Sequence, residues 1–391
     1  MVFWKKNLII VWICQFFAMV GMSAVVPFLP LFVRQLGVTE LKETAMWSGF
    51  VFAGPFFISF FLAPVWGSLG DKHGRKIMTL RAVFGLAIAQ IIIGFSQNVT
   101  HLFLGRLLQG ALSGFLPAAM ALIASNTPEN KTGYALGLLQ SSTAAGTVLG
   151  PLIGGVISDL FGYRFVFFSV AILLFFTGIL LLVFVKEENR VDGIQTYTFL
   201  ENWKYLLNKK VLKISAIMIT LTALGFSFIR PIFVLYVETL NVSSKLLPTI
   251  TGALYSIMGI TSTFSAAWWG KRVEKKGIKK NLLVATIITG IMYALHSVVN
   301  DPITLIPVRI FLGFGFGALL PLLFTSVSNS VSYERKGGVL GVASSFQIFG
   351  NMIGPIIGGY AAGFLGIKTS FVLTGLIFLL IASIIFTKLK D

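Results

Sequence analysis

Ten consecutive residues, Gly67-Ser68-Leu69-Gly70-Asp71-Lys72-His73-Gly74-Arg75-Lys76, set one carboxylate four residues ahead of a guanidinium and five ahead of an ammonium. Groups so spaced suit a network of charge-assisted hydrogen bonds that latches one helix end to a neighbour, and the glycines allow a tight turn. A second polar set, Arg106, Gln109 and Gly110, lies inside apolar sequence. A guanidinium there is costly unless it is paired or reaches the surface. Arg106 is five residues past His101, so outward snorkelling and a buried role both stand. Arg230, in Phe228-Ile229-Arg230-Pro231, precedes Glu238 by eight residues, about 12 Å along a helix. It either reaches outward or pairs with Glu238, or it faces the interior and attracts anionic or zwitterionic groups.

Other chemistry is short of parts. One cysteine, Cys14, allows neither a disulfide framework nor a cysteine-based zinc site, and His73, His101 and His296 are not spaced with carboxylates as metal ligands are. No acid, base and nucleophile converge, so an enzyme is not expected, nor a cofactor or metal. The net charge is +17, but its lysines and arginines are scattered through short connectors, which argues against nucleic acid. None of the fourteen carboxylates falls in the middle of an apolar run, although Asp159, Glu238 and Asp301 sit near run ends.

The elements that carry these groups follow from composition. Of 391 residues, 56% are hydrophobic and 12% charged, too apolar for a water-soluble fold. A span needs about 20 apolar residues. Twelve are expected: 8–32, 46–67, 77–96, 101–124, 134–158 and 164–185, then 212–237, 247–269, 281–299, 303–327, 338–362 and 369–387. The start, Trp4-Lys5-Lys6-Asn7 before an apolar run, reads as a first span rather than a cleaved leader. A polar segment divides six spans from six, giving an N-terminal bundle over 1–185, a cytoplasmic linker over 186–210 and a C-terminal bundle over 211–391. With the N-terminus inside, 22 Lys and Arg fall in cytoplasmic segments, five outside and four within spans, so both termini are expected in the cytoplasm.

The halves repeat. Trp66-Gly67, Asp71 and Gly74 recur 203 residues later as Trp269-Gly270, Glu274 and Gly277; Arg106 and Gly110 recur as Arg309 and Gly313. After a one-residue slip, Gly150-Pro151-Leu152-Ile153-Gly154-Gly155 recurs as Gly354-Pro355-Ile356-Ile357-Gly358-Gly359. An even number of spans per half makes this a parallel repeat, and the fold class is an all-α integral membrane protein of two six-helix bundles. Small residues at Gly146, Gly150, Gly154 and Gly155 let helices approach closely, and Pro151 permits a bend. Polar groups that suit a central cavity, or helix-to-helix hydrogen bonds, are Gln15, Gln140, Arg230, Tyr255, Gln347 and Asn351.

The loop matches the signature G-x-x-x-D-x-x-G-R-K of the major facilitator superfamily at Gly67, Asp71, Gly74, Arg75 and Lys76, while the second copy departs with Glu274 and Ile278. Arg106-x-x-Gln109-Gly110 resembles the signature of its proton-coupled members, and Gly146-x-x-x-Gly150-Pro151-x-x-Gly154-Gly155 that of its antiporters. Residues 22–37, Met46-Trp47-Ser48-Gly49 and the stretch from Asn130 to Gly137 resemble multidrug exporters of the drug:proton antiporter group. The resemblance implies a monomeric transporter in the bacterial inner membrane, exporting drugs or small amphipathic molecules against inward proton flow. It implies a charge relay of Asp71, Arg75 and Glu129, and coupling through Arg106, Gln109, Gly110 and Asp71. Arg230 and the lack of interior acids keep open an alternative, a carrier of an anionic metabolite such as an organic or sugar phosphate.

Overall fold

A computed structural model of the chain describes residues 3–187, 198–332 and 335–388, with the side chains of Asp71, Glu129 and Phe199 outside the description. Every regular element among the described residues is helical. The first half contains α1 (Phe3–Ala24), α2 (Leu29–Gln35), α3 (Leu41–His73), α4 (Arg75–Gly94), α5 (Val99–Ala111), α6 (Phe115–Asn126), α7 (Glu129–Phe161) and α8 (Tyr163–Phe184). The second contains α9 (Phe199–Asn208), α10 (Lys210–Ile229), α11 (Phe233–Glu238), a 3-10 turn at Ser244–Leu246, α12 (Leu247–Lys276), α13 (Ile278–Leu295), α14 (Pro302–Asn329), α15 (Lys336–Leu365) and α16 (Ile367–Lys388).

Among the described residues, eleven helical stretches are long and apolar enough to cross a membrane. The twelfth expected span is α12, whose 30 residues extend about 45 Å. Its apolar character is diluted by Thr249, Thr251, Ser256, Thr261, Ser262, Thr263 and Ser265.

Three expected spans are interrupted. The runs 8–32 and 212–237 break between Ala24 and Leu29 and between Ile229 and Phe233, at Pro27 and Pro231, 204 residues apart. Proline cannot donate to the preceding turn and crowds it. The run 101–124 breaks between Ala111 and Phe115 without a proline, at Gly114, whose φ is +113°. Side chains take up the carbonyls freed there: Trp66 Nε1 donates to Ala111 O at 2.9 Å and Arg81 Nη2 to Ser113 O at 2.8 Å. The guanidinium of Arg81 also lies 3.6 Å from the centre of the Trp66 ring.

Tight reversals join successive long helices at Gly74, Gly162, Gly277 and Gly366, with φ of +101°, +85°, +73° and +92°. A side chain is strained in that region, so the repeat preserves glycine at each. The main packing pairs also obey the repeat: α1 with α7 matches α10 with α15, and α4 with α8 matches α13 with α16.

The chain divides into two compact units, 1–38 with 54–194 and 243–256, and 39–53 with 195–242 and 257–391. The first part of α12 therefore belongs with the first unit, and the first part of α3 with the second. Of the expected linker, residues 188–197 lie outside the described ones. Its end folds as α9, started by a capping box between Thr198 and Glu201, and Trp203 stands 4.9 Å from the Phe346 ring of α15. The bonds from Thr198 hold the Glu201 carboxyl below its ordinary range.

Candidate functional site

The described bonds of the signature loop run between side chains and backbone. Gly67 and Glu274 are exposed, and the side chains of Asp71 and Glu129 lie outside the described ones. Arg75 Nη1 donates to Ala121 O at 2.9 Å, and Lys76 Nζ to Leu182 O at 2.9 Å. Among the described side chains, Glu187 brings a carboxylate to this loop: its two oxygens accept from the backbone N–H of Arg75 at 2.9 Å and Lys76 at 3.0 Å, the first turn of α4. An anion is favoured there, where amides lack helical partners. A Cβ at Gly74 would sit 3.0 Å from Glu187 Oε2, so glycine serves both the turn and this approach. The sequence marks Glu187 only as one charge at the head of the linker; its partner lies more than 110 positions away.

Arg106 and its repeat mate Arg309 are both buried, and their contacts differ. Arg106 Nη1 donates to Gln109 Oε1 at 2.7 Å, one turn further along α5 from His101. Leu312 stands where a second glutamine would be, and Arg309 instead lies 4.3 Å over the Phe233 ring. Around Arg309, Tyr236 Oη donates to His296 O at 2.7 Å and the His296 ring stacks on Phe371 at 4.8 Å. Nothing in the sequence joins these four residues, which come from α11, α14, α16 and the end of α13.

The glycine-rich face of α7 is spent on close crossings. A Cβ at Gly146, Gly150 or Gly154 would fall within 2.6 Å of atoms of α1, the nearest being Met19 Cβ, Ser23 Oγ and Ala24 O. Gly350, Gly354 and Gly358 meet Thr220 O, Leu224 O and Phe228 O of α10 in the same way. The other face, with Gly155 and Pro151, meets the start of α12: Gly155 faces Pro248 O, and Gly252 faces Pro151 O. Its counterpart, formed by α15 and the start of α3, puts Gly359 against Ala45 O and Gly49 against Pro355 O. Glycine GxxxG spacing thus sets four backbone crossings in two equivalent pairs. Gly110 makes a further one, against Pro55 O.

The remaining polar candidates are distributed over both units. In the first, buried Gln15 donates to Leu139 O at 3.0 Å and Thr143 Oγ1 at 2.7 Å, and exposed Gln140 lies 3.5 Å from Met120 Sδ. Tyr255, on the early part of α12, is half-buried. In the second, Asn351 accepts from Ser227 Oγ at 2.5 Å, and Gln347 is half-buried. Arg230 closes α10, its guanidinium 4.7 Å from the Phe226 ring. The structure thus joins Gln15 to α7 and Asn351 to α10. Among the described residues no cluster of three His, Cys, Asp or Glu suits a metal.

Comparison with known proteins places this geometry. The model of the Major Facilitator Superfamily matches residues 11–296 and 215–391. The multidrug resistance protein MdtG of Rahnella sp. (strain Y9602) is 36% identical over 383 residues, 96% of this chain and 92% of that protein. MdtG of Enterobacter lignolyticus (strain SCF1) is 37% identical over 377 residues, covering 96% and 90%. Among solved structures, a bacterial homolog of the human lysosomal transporter Spinster, inward-facing and unoccupied, has a TM-score of 0.82 at 14% identity, covering 98% of this chain and 96% of that one. The nucleoside transporter NupG has a TM-score of 0.81 at 15% identity, covering 98% and 100%. At these identities the solved structures speak for the fold alone.

Proposed function

The chain belongs to the major facilitator superfamily, and from that premise we propose that it is a secondary transporter that exports drugs or small amphipathic molecules from the bacterial cytoplasm. The observation that carries this reading is identity of 36–37% along nearly the whole chain to multidrug resistance proteins. The relatives do not favour the alternative of an anionic-metabolite carrier. As a multi-pass inner-membrane protein it would work by alternating access, two bundles, 1–185 and 211–391, rocking about a central cavity. The 22 to 5 bias of Lys and Arg supports cytoplasmic termini.

Proton antiport is the coupling we favour, with the chain acting as a monomer. The relay of Asp71, Arg75 and Glu129 would govern the cytoplasmic end, joined by Glu187 through the first amides of α4. Arg106 with Gln109 supplies a buried charge whose hydrogen bonding can change during the cycle. The test is drug susceptibility of a hypersensitive bacterial strain, with and without the chain, against cationic, neutral and anionic compounds. Raised tolerance to lipophilic cationic or neutral compounds is expected. Protection confined to anionic compounds would move the reading to the metabolite carrier.

A further inference from the structure

The end of the linker carries charge that transport itself does not use. Among the described residues of 198–213 and 335–336, six are basic, Lys204, Lys209, Lys210, Lys213, Arg335 and Lys336, against one acidic, a net +5. The acid is Glu201, which is turned back to accept the Thr198 N–H at 2.8 Å in the cap of α9. Two of the cations flank one ring. Lys209 Nζ donates to Tyr205 Oη at 2.5 Å and lies 4.5 Å from the ring centre, and the Arg335 guanidinium lies 4.8 Å from it.

α9 has two faces. Asn202 and Leu206 are buried where it packs on α10 and α15, with Asn202 against Gly338 and Trp203 beside Phe346. Leu200, Lys204 and Leu207, spaced four and three apart on the other side, are exposed, Leu200 to 70%. Helix lengths set the depth of α9. α15 has 30 residues, about 45 Å, and so exceeds a hydrocarbon core of about 30 Å by roughly 15 Å. The reversal at Gly366 leads straight into α16, whose 22 residues, about 33 Å, fill that core. The excess of α15 therefore projects at its Lys336 end, and Phe346, ten residues or about 15 Å along, marks where the core begins. Contacts at Gly338 and Phe346 put α9 at the level of the lipid headgroups.

We propose that α9 is an interfacial anchor that lies on anionic lipid headgroups, in the leaflet at the Lys336 end, which the orientation given above makes the cytoplasmic one. Leu200 and Leu207 enter the boundary of the acyl chains, and the Lys204 stem follows them while its ammonium reaches back to a phosphate. Charge decides the occupant: a net +5 suits a phosphate layer and repels the same face of a second chain. Each basic residue held near an anionic surface raises the docked-to-undocked ratio about fivefold.

The test uses the full chain in lipid nanodiscs with neither drug nor proton gradient, so its outcome stands apart from export. In a Cys14→Ser background, exposed Asn208, one turn beyond Lys204, is changed to cysteine and spin-labelled. The label's access to oxygen, which concentrates in lipid, is compared with its access to a water-soluble nickel chelate. In discs of phosphatidylcholine with phosphatidylglycerol the label is expected at bilayer depth, and phosphatidylcholine alone or high salt should shift it toward water. Lys204→Gln should lower the docked-to-undocked ratio about fivefold in the anionic discs, and Lys204→Arg should restore it. A label as exposed to water in anionic discs as in neutral ones, a Gln variant that docks like the wild type, or an Arg variant as weak as the Gln one overturns the proposal.

Discussion

The crossing of α7 with α12 and that of α3 with α15 hold equivalent places in the repeat, yet different chemistry closes them. Both rest on glycine against backbone: Gly155 and Gly252 in one, Gly359 and Gly49 in the other. Above that shared base the first adds the Asp159 bonds to Thr249 and the Ser256 bond to Val148. The second adds apolar and aromatic contacts, Phe50 edge-on to Tyr360 at 6.0 Å and the Lys42 ammonium 4.1 Å over Phe364. Shape is what the duplicated fold conserves; polarity is where its copies have diverged.

The largest effect should come from breaking the shared base. Gly252→Leu or Gly49→Leu would drive a side chain into a carbonyl oxygen 2.2 Å or 2.5 Å from the new Cβ. Each should lose at least tenfold in transport, with similar loss of thermal stability at both crossings, because overpacking acts alike on both. A glycine replacement tolerated at one crossing only would show that the close approach matters there alone. Next in size, Asp71→Asn should insert and fold but lose most transport in the susceptibility assay; full activity would remove the cytoplasmic relay from the account.

Smaller effects separate the two crossings. Ser256→Ala should weaken the α7–α12 crossing by about 1 kcal/mol, the net value of one hydrogen bond. Phe50→Ala should weaken the α3–α15 crossing by at least about 0.5–1.5 kcal/mol, the aromatic-pair contribution beyond area burial. Both shifts, read as stability against denaturant, should be the same at pH 5 and pH 8. Smallest of all is Asp301, the cap of α14. Thr304 holds its carboxyl below the ordinary range, so its support is complete above about pH 4 and is lost as pH falls through the lowered value. Asp301→Ala should therefore leave any response between pH 5 and pH 8 unchanged.

Much of the architecture was legible because bilayer thickness and helix rise leave few choices for runs as apolar as 164–185 or 369–387. The repeat was legible at Trp66 and Trp269, and the structure gives it content: Trp269 Nε1 donates to Phe314 O at 2.8 Å, as Trp66 does to Ala111 O. The breaks at Pro27 and Pro231 carry a local signal that an apolar-run count ignores. The break at Ser113 and Gly114 carries almost none, since it depends on Trp66 and Arg81 arriving from other helices. For the same reason Gln15 and Asn351 read equally as cavity groups or helix ties, and only their partners Leu139, Thr143 and Ser227 show the ties each makes. Asp159 was visible as a carboxylate near a span end; Thr249, ninety residues on, was not.

The central claim is export, and everted membrane vesicles test it most directly, because export then appears as uptake into the vesicle. With respiration acidifying the lumen, vesicles carrying the chain should accumulate a lipophilic compound to which the chain gives tolerance, and a protonophore should release it. Vesicles that accumulate no more than those without the chain, or that keep the compound when the gradient is collapsed, would contradict proton-driven export.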